Sequence, residues 1–462
     1  MHGPGCIWRH VAILRSGDVQ QHCRKMLLAL PGSSCVFGDI MLRCPEAVLK
    51  RISKAWHRYR QVARDFVEVG MPAKHAYEGC GKEFMREVGI SESEKQIQWA
   101  SSLHVLQSCC PKLPSMVWNL NAFCSPTFCC PKVASLVSGT SDCEDGLTAY
   151  CHRHEKNCSV YPQPPVGRDQ AGHAPLHGCI SGVNCYDFSD MGNQQGWLGD
   201  SSLIYVQHIR EIKQAKFAFC IIECVVGFDL DGLAMLQPEY ELICLQICPR
   251  SLGFPITRRR KYMLLIRRST LKWRARIQEI GHDVVFAAIF HRRVSLLGDD
   301  LLRAPAVDVH KQREAMRAAR SLPPRRKSGR PWRDFHLLSP SLRGQVLKHE
   351  RHCKKRGSTV DRPVCNLRQN PEFLSGKRCC PALLRRSLMW SVHRQRVVLP
   401  LEHVECQGYE VFKQQQQHDC AWVAQLRALA ADEQRSLAGN GMHAACVGAA
   451  LAFLLAGTER IL

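Results

Sequence analysis

The sequence predicts an α/β fold: a mostly parallel sheet flanked by helices, followed by a smaller basic region. Three observations carry that expectation. Apolar runs at 217–225 (FAFCIIECV), 240–247 (YELICLQI) and 261–268 (KYMLLIRR) alternate with helical patterns, the rhythm of strands joined by crossovers. Glycine- and proline-rich turns punctuate those runs, at 181–199 and again at 253–255. The chain has 462 residues, of which 45% are hydrophobic, enough for two or three domains and a sizeable core.

Taken in order, HCRKMLLALPGSS (22–34) predicts a helix ending in a turn, and CVFGDIML (35–42) a short strand with Asp39 at its carboxyl end. Residues 57–105 are mixed polar and predict helix. Residues 108–180 change character, with adjacent cysteines at 109, 110 and at 129, 130, several prolines and little periodicity. They read as an irregular insertion with a loop from Pro162 to Gly172. The stretch 202–215 has helical periodicity and leads into the three strands. From 269 to 375 basic residues dominate, most densely in SLPPRRKSGRPWR (321–333) and HERHCKKRGS (349–358). Such runs read as solvated loops able to face phosphates. A QQQQ tract occupies 414–417, and Cys420 to Leu462 predicts helix interrupted at 438–443. The expected divisions are 1–107, 108–180, 181–268, 269–380 and 381–462.

Charge narrows the partners. Lys and Arg number 63 against 41 Asp and Glu, a net +22, which suits a polyanion such as nucleic acid, or an acidic membrane surface. The longest apolar run, Ala444 to Ala456, is shorter than a bilayer-spanning helix, so no membrane partner is expected. The 26 cysteines follow a start with no cleavable signal pattern. An intracellular chain with reduced thiols is therefore expected, most of them packed as small hydrophobes.

Three places carry chemistry. GVNCYDFSDMGNQQGWLG (182–199) sets Cys185 on a glycine-flanked loop just before an α/β unit, where a thiol of lowered pKa is a nucleophile. Glu223 ends an apolar strand; a carboxylate there is either a surface group or an acid poised over a ligand. GFPITRRRKYMLLI (253–266) presents Arg258 and Arg260 on one face of an emerging strand, as a solvated basic turn or as a grip on a phosphate.

The order of these pieces resembles the cytosine-5 DNA methyltransferase family. The matching residues are Asn184-Cys185, Glu223-Cys224-Val225, and Gly253 to Arg260 with Pro255. Upstream, Gly38-Asp39-Ile40 is similar to that family's strand-end acid. Downstream, 382–412 resembles its Arg, Pro-x-Glu and Gln-Gly-Tyr segment, and Ala438-Gly439-Asn440-Gly441-Met442 its terminal Gly-Asn motif. The resemblance covers most of the chain and is weakest in 44–180 and 269–375, the second of which is where the family places its target-recognition region.

The resemblance implies a Rossmann-like, S-adenosylmethionine-dependent sheet and methyl transfer to carbon 5 of cytosine in DNA. RNA is a second candidate, because one branch of the family methylates transfer RNA. Cys185 would attack carbon 6, Glu223 would hydrogen-bond the N3 edge, and Arg258 and Arg260 would hold the flipped base or its neighbouring phosphate. Asp39, Ile40, Gly439 and Asn440 would line the S-adenosylmethionine pocket. No metal is assigned to this site. A nuclear location is the expectation that goes with the charge and the implied substrate.

Departures from the family pattern are Asn184 for its Pro, Cys224 for its Asn and Ile256 for its Gln. Residues 1–20 carry no Gly-rich cofactor loop, so the sheet is expected to lack its first strand, through truncation or decay. Two other readings stand beside the enzyme: an inactive nucleic-acid-binding relic of the same fold, and a zinc-stabilised basic interaction protein. The last rests on Cys143, Cys151, His152, His154 and Cys158, from which four zinc ligands could gather.

Overall fold

The computed structural model describes residues 15–17, 35–37, 46–68, 70–71, 73–89, 148–151, 154–159, 176–182, 186–189, 192–230, 233, 239–323, 333–357, 361–373, 378–414 and 421–461. The first sheet joins β1 (Arg15–Gly17) in parallel to β2 (Cys35–Phe37). Then β3 (Thr148–Cys151) pairs antiparallel with β2, and β4 (Lys156–Ser159) closes a hairpin on β3. Among the described residues between β2 and β3 lie two helices, α1 (Glu46–Glu68) and α2 (Ala73–Gly89); the later half of α1 and all of α2 fall in 57–105, whose polar pattern predicted helix. The predicted helix at 22–34 and the loop at 162–172 lie outside the described residues.

The second sheet positions the site. Its strands are β5 (Gly178–Gly182), β6 (Phe219–Cys224), β7 (Tyr240–Ile247) and β8 (Arg260–Arg267), in the order β5-β6-β8-β7. Helix α3 (Ser202–Ala215) carries the chain from β5 to β6, which run parallel. The expectation of a mostly parallel sheet needs correction at β8, which is antiparallel to both of its neighbours. Between β7 and β8 the only helical piece is a single turn, Pro249–Ser251. Without a crossover helix to carry it back along the sheet, the chain reverses and returns antiparallel.

Every residue of β6 is buried, and the period-two alternation shares them between two cores. Cys220, Ile222 and Cys224, with Met263 and Leu265 of β8, face α1, α2 and α3. Phe219 and Ile221, with Tyr262, Leu264 and Ile266, face the C-terminal helix. On α1, the buried positions Ile52, Ala55, Trp56, Tyr59 and Ala63 form one helical stripe, packed against Phe84 and Met85 of α2. Each fully buried Ile or Leu in such a face contributes roughly 1.5–3 kcal/mol.

Beyond β8 come β9 (Leu271–Trp273), α4 (Ala275–Ile280), α5 (His282–Phe290), α6 (Ala306–Ala318) and α7 (Pro340–Lys355). The basic run at 349–355, expected as a loop, is the last part of α7, with His349 and Cys353 buried. Its charges fall at the helix C-terminus, where cations are favoured. A small antiparallel sheet follows: β10 (Val364–Asn366), β11 (Met389–Ser391) and β12 (Arg396–Val397). The chain ends in α8 (Pro400–Glu405), α9 (Val411–Gln414), α10 (Ala421–Ala428), α11 (Ala431–Asn440), α12 (Ala444–Gly457) and β13 (Thr458–Arg460), which pairs with β9. The break between α11 and α12 falls in the predicted interruption. Ala431–Gly457 is long and apolar enough by composition to cross a membrane, but the part in α12 buries Cys446, Ala450, Phe453 and Leu454 against the second sheet.

Candidate active site

Glu223 and Gly182 are direct partners at the carboxyl ends of the two parallel strands β6 and β5, the edge where open α/β sheets bind ligands. A β-carbon on Gly182 would lie 3.3 Å from Glu223 Oε2 and 3.5 Å from Met442 Cγ. Glycine therefore leaves room at the carboxylate. Glu223 is 5% exposed. Burial raises its carboxyl pKa above the usual value; the nearby Arg258 and Arg260 pull it down without cancelling the effect. Arg260 Nε stands 3.1 Å from Glu223 Oε1. That contact follows from register: Glu223 pairs with Tyr262, so Arg260, two residues back on β8, shares its face diagonally.

The two arginines do different things. Arg260 keeps its charge at Glu223. Arg258 is 5% exposed and turns into the protein. Its Nη1 donates to the Leu383 carbonyl at 3.0 Å, and its Nη2 to those of Gly441 at 3.0 Å and Gly439 at 3.4 Å. It thereby ties the turn before β8 to the C-terminal segment. Ile256, which stands where the family has Gln, is 1% exposed in a core with Leu383 and Val398 and bridges to Cys380. Its apolar character serves that joint.

Cys185 and Asn184 lie outside the described residues, as do Asp39 and Ile40. The described residues that bracket Cys185 are Gly182 and Tyr186. Downstream, the described residues from Asp187 to Ser201 are held by packing and hydrogen bonds. Phe188, Trp197, Tyr205 and Phe228 form a cluster with ring centroids 4.7–5.8 Å apart, and such pairs add roughly 0.5–1.5 kcal/mol each beyond burial. Asp187 Oδ2 accepts from the Ser201 amide at 2.9 Å and the Ser201 hydroxyl at 2.5 Å. Gly199 gives Asp187 its place, since a β-carbon there would lie 1.9 Å from the carboxyl carbon. Cys224, in the position of the family's Asn, points the other way from Glu223 and meets Tyr205 Oη at 2.9 Å.

Of the C-terminal motifs, the Gly-Asn segment reaches this edge through Met442, beside Gly182; the others tie the C-terminal half together. Arg396 and Glu402 form a two-pronged ion pair, both bonds 2.7 Å, with both side chains buried. Glu402 also accepts from the amides of Ala304 and Leu399. The Gln407 side chain donates to the Ala438 carbonyl at 2.5 Å, and its backbone carbonyl accepts from the Ala444 amide. Gly439 lies against the 384–385 backbone, where a β-carbon would come within 2.3 Å of the Arg385 amide. Its role is thus close packing. Of the residues assigned to the cofactor, Asn440 ends α11 exposed and is available to a ligand.

His443 was not anticipated. It is 1% exposed, edge-on to Phe254 at 5.1 Å, and burial together with the Arg258 charge lowers its pKa to about 4, so it is neutral at physiological pH. Its place beside the Gly-Asn-Gly turn is the one signal that could have pointed to it.

No protein-family model matches the chain, and no curated protein matches it. Solved structures to which it is similar include a methyltransferase of Entamoeba histolytica, at 11% identity and TM-score 0.34, covering 61% of this chain and 77% of that one. The Dnmt2 methyltransferase of S. pombe is similar at 13% identity and TM-score 0.35, with 62% and 79% covered. A putative DNA modification methyltransferase from an E. coli prophage is similar at 14% identity and TM-score 0.28, with 58% and 79% covered.

Proposed function

We propose that this chain is a divergent cytosine-5 methyltransferase acting on nucleic acid, with DNA as the first substrate and RNA as the second. The observation that carries the reading is Glu223: a buried carboxylate of raised pKa, held by Arg260 and bordered by Gly182, three residues before Cys185. A carboxyl that keeps its proton more readily than usual can donate to the N3 edge of a cytosine and draw electrons from carbon 6. The Cys185 thiolate then adds to carbon 6, making carbon 5 nucleophilic. Carbon 5 takes a methyl group, loses its proton to a base, and the thiolate departs as the ring double bond re-forms. S-adenosylmethionine would supply the electrophilic methyl, with Asn440 and, from the sequence motif, Asp39 and Ile40 on its side of the site. Arg260 holds the carboxyl of Glu223 in place. Arg258 positions the turn and the C-terminal segment, and touches no substrate.

Transfer of a labelled methyl group from S-adenosylmethionine to a cytosine-containing DNA duplex and to transfer RNA tests this. The parent is expected to place label at carbon 5 in one of the two polymers. Cys185→Ser is expected to abolish it, and Glu223→Gln to lower it by about 10²-fold or more. If both polymers are bound and neither is labelled, the chain is a binding relic and the enzymatic reading is wrong.

A further inference from the structure

We infer that the β3–β4 hairpin carries a metal site, with Cys151, His154 and Cys158 as ligands to a tetrahedral divalent ion of the zinc class. Nothing in the methyl-transfer chemistry uses these residues. The hairpin register pairs Ala149 with Cys158 and Cys151 with Lys156. Side chains at positions two apart share a face, so Cys151 and Cys158 sit diagonally on one face of the ribbon. The turn brings His154 onto that face. Its Nδ1 lies 3.6 Å from Cys151 Sγ and 3.2 Å from Cys158 Sγ, and the three ligand atoms all lie within 4.8 Å of one another.

Those spacings are what a shared ion requires. Zinc binds thiolate at about 2.3 Å and imidazole nitrogen at about 2.0–2.1 Å. At a tetrahedral angle those lengths put sulfur and nitrogen about 3.5 Å apart, close to both observed distances. Two thiolates and one imidazole are also the soft, borderline donor set that selects zinc over calcium or magnesium. A plain hydrogen-bonded turn would need one sulfur at the imidazole, and here the nitrogen stands between two.

The arrangement also suits a staple. Cys151 is buried, Cys158 half-buried and His154 exposed, so the ion would enter from solvent and reach inward to the sheet. Cys151 pairs with Phe37 of β2. A metal at this point would fix the hairpin against the strand that leads to Gly38-Asp39. The three ligands leave one tetrahedral position for water or a further donor.

Cobalt titration of the reduced, metal-stripped full chain tests the site. Thiolate-to-cobalt charge-transfer absorption in the near ultraviolet is expected to saturate at one ion per chain and to disappear when zinc is added. Cys158→Ser and His154→Gln should each weaken binding by tenfold or more. His154 is exposed in a turn, so its replacement leaves the fold intact. Cys244→Ser, on β7, should bind cobalt as the parent does. Absence of the band, or a band unchanged in both His154→Gln and Cys158→Ser, would overturn the assignment.

Discussion

At Glu223 burial and charge pull in opposite directions, and burial prevails. A folded pKa above the ordinary 4.5 means the folded chain holds this proton more tightly than the unfolded chain does. The stability it contributes is fully present below about pH 4.5 and is lost as pH rises through the folded value. Glutamine does not titrate. Denaturant unfolding at pH 4.5 and pH 8 should therefore show the parent losing ground to Glu223→Gln at the higher pH; an equal difference at both would contradict the assignment. In the reaction, the methyl-transfer rate should fall as pH rises through the same value, and Glu223→Gln should flatten that limb. That Glu223 needs a partner was legible in the sequence, because a charge at the end of an apolar strand is costly alone; that Arg260 is that partner follows only from the β6–β8 register. The work of Arg258 was not. Its acceptors, the carbonyls of Leu383, Gly439 and Gly441, are brought to it by tertiary packing, and backbone carbonyls carry no sequence signal.

Among elements, the joint between β12 and α8 is pinned by one buried ion pair, Arg396 with Glu402. Arg396 is 4% exposed and Glu402 is 0% exposed, and burial holds such charges only while they are paired. Removing one partner of such a pair leaves an uncompensated buried charge and costs about 3–5 kcal/mol. Glu402→Gln and Arg396→Met are each expected to lose about that much in urea unfolding. The double substitution should lose much less than their sum, and strict additivity would show that the two side chains act separately. The helix at 202–215 and the strand at 240–247 were readable to the residue, since their periodicities are unbroken. Which strand runs against the others was not legible, because alternation locates a strand and is silent on its orientation. The missing crossover helix between 248 and 259 was the available clue.

Over the whole molecule the positive charge is divided. Part of it is internal: Arg313 with Asp334 at 2.6 Å, Arg394 with Asp299 at 2.9 Å and Arg396 with Glu402 at 2.7 Å are ion pairs with buried carboxylates. Part is outward, as on α7, where Lys348, Arg351, Lys354 and Lys355 are exposed. Composition reported the net +22 and could not separate the two. The outward share is the expected contact with phosphates. DNA affinity should fall by about 10³-fold or more between 50 and 200 mM salt, as for a protein neutralising about 6–10 phosphates. Replacing Lys348, Arg351 and Lys355 together by Ala should lower the salt slope by about three, one for each phosphate left without its cation. An unchanged slope would place the DNA-facing surface elsewhere.

Covalent attack by Cys185 on a cytosine held at Glu223 leaves an adduct that can be trapped. The full chain would be incubated with S-adenosylmethionine and DNA or transfer RNA bearing 5-fluorocytosine, where fluorine blocks the release of the thiol. A cofactor-dependent adduct that survives denaturation, and is absent from Cys185→Ser, is the expected result. An adduct that persists in Cys185→Ser, or no adduct with either polymer while S-adenosylmethionine is bound, would rule out attack by Cys185.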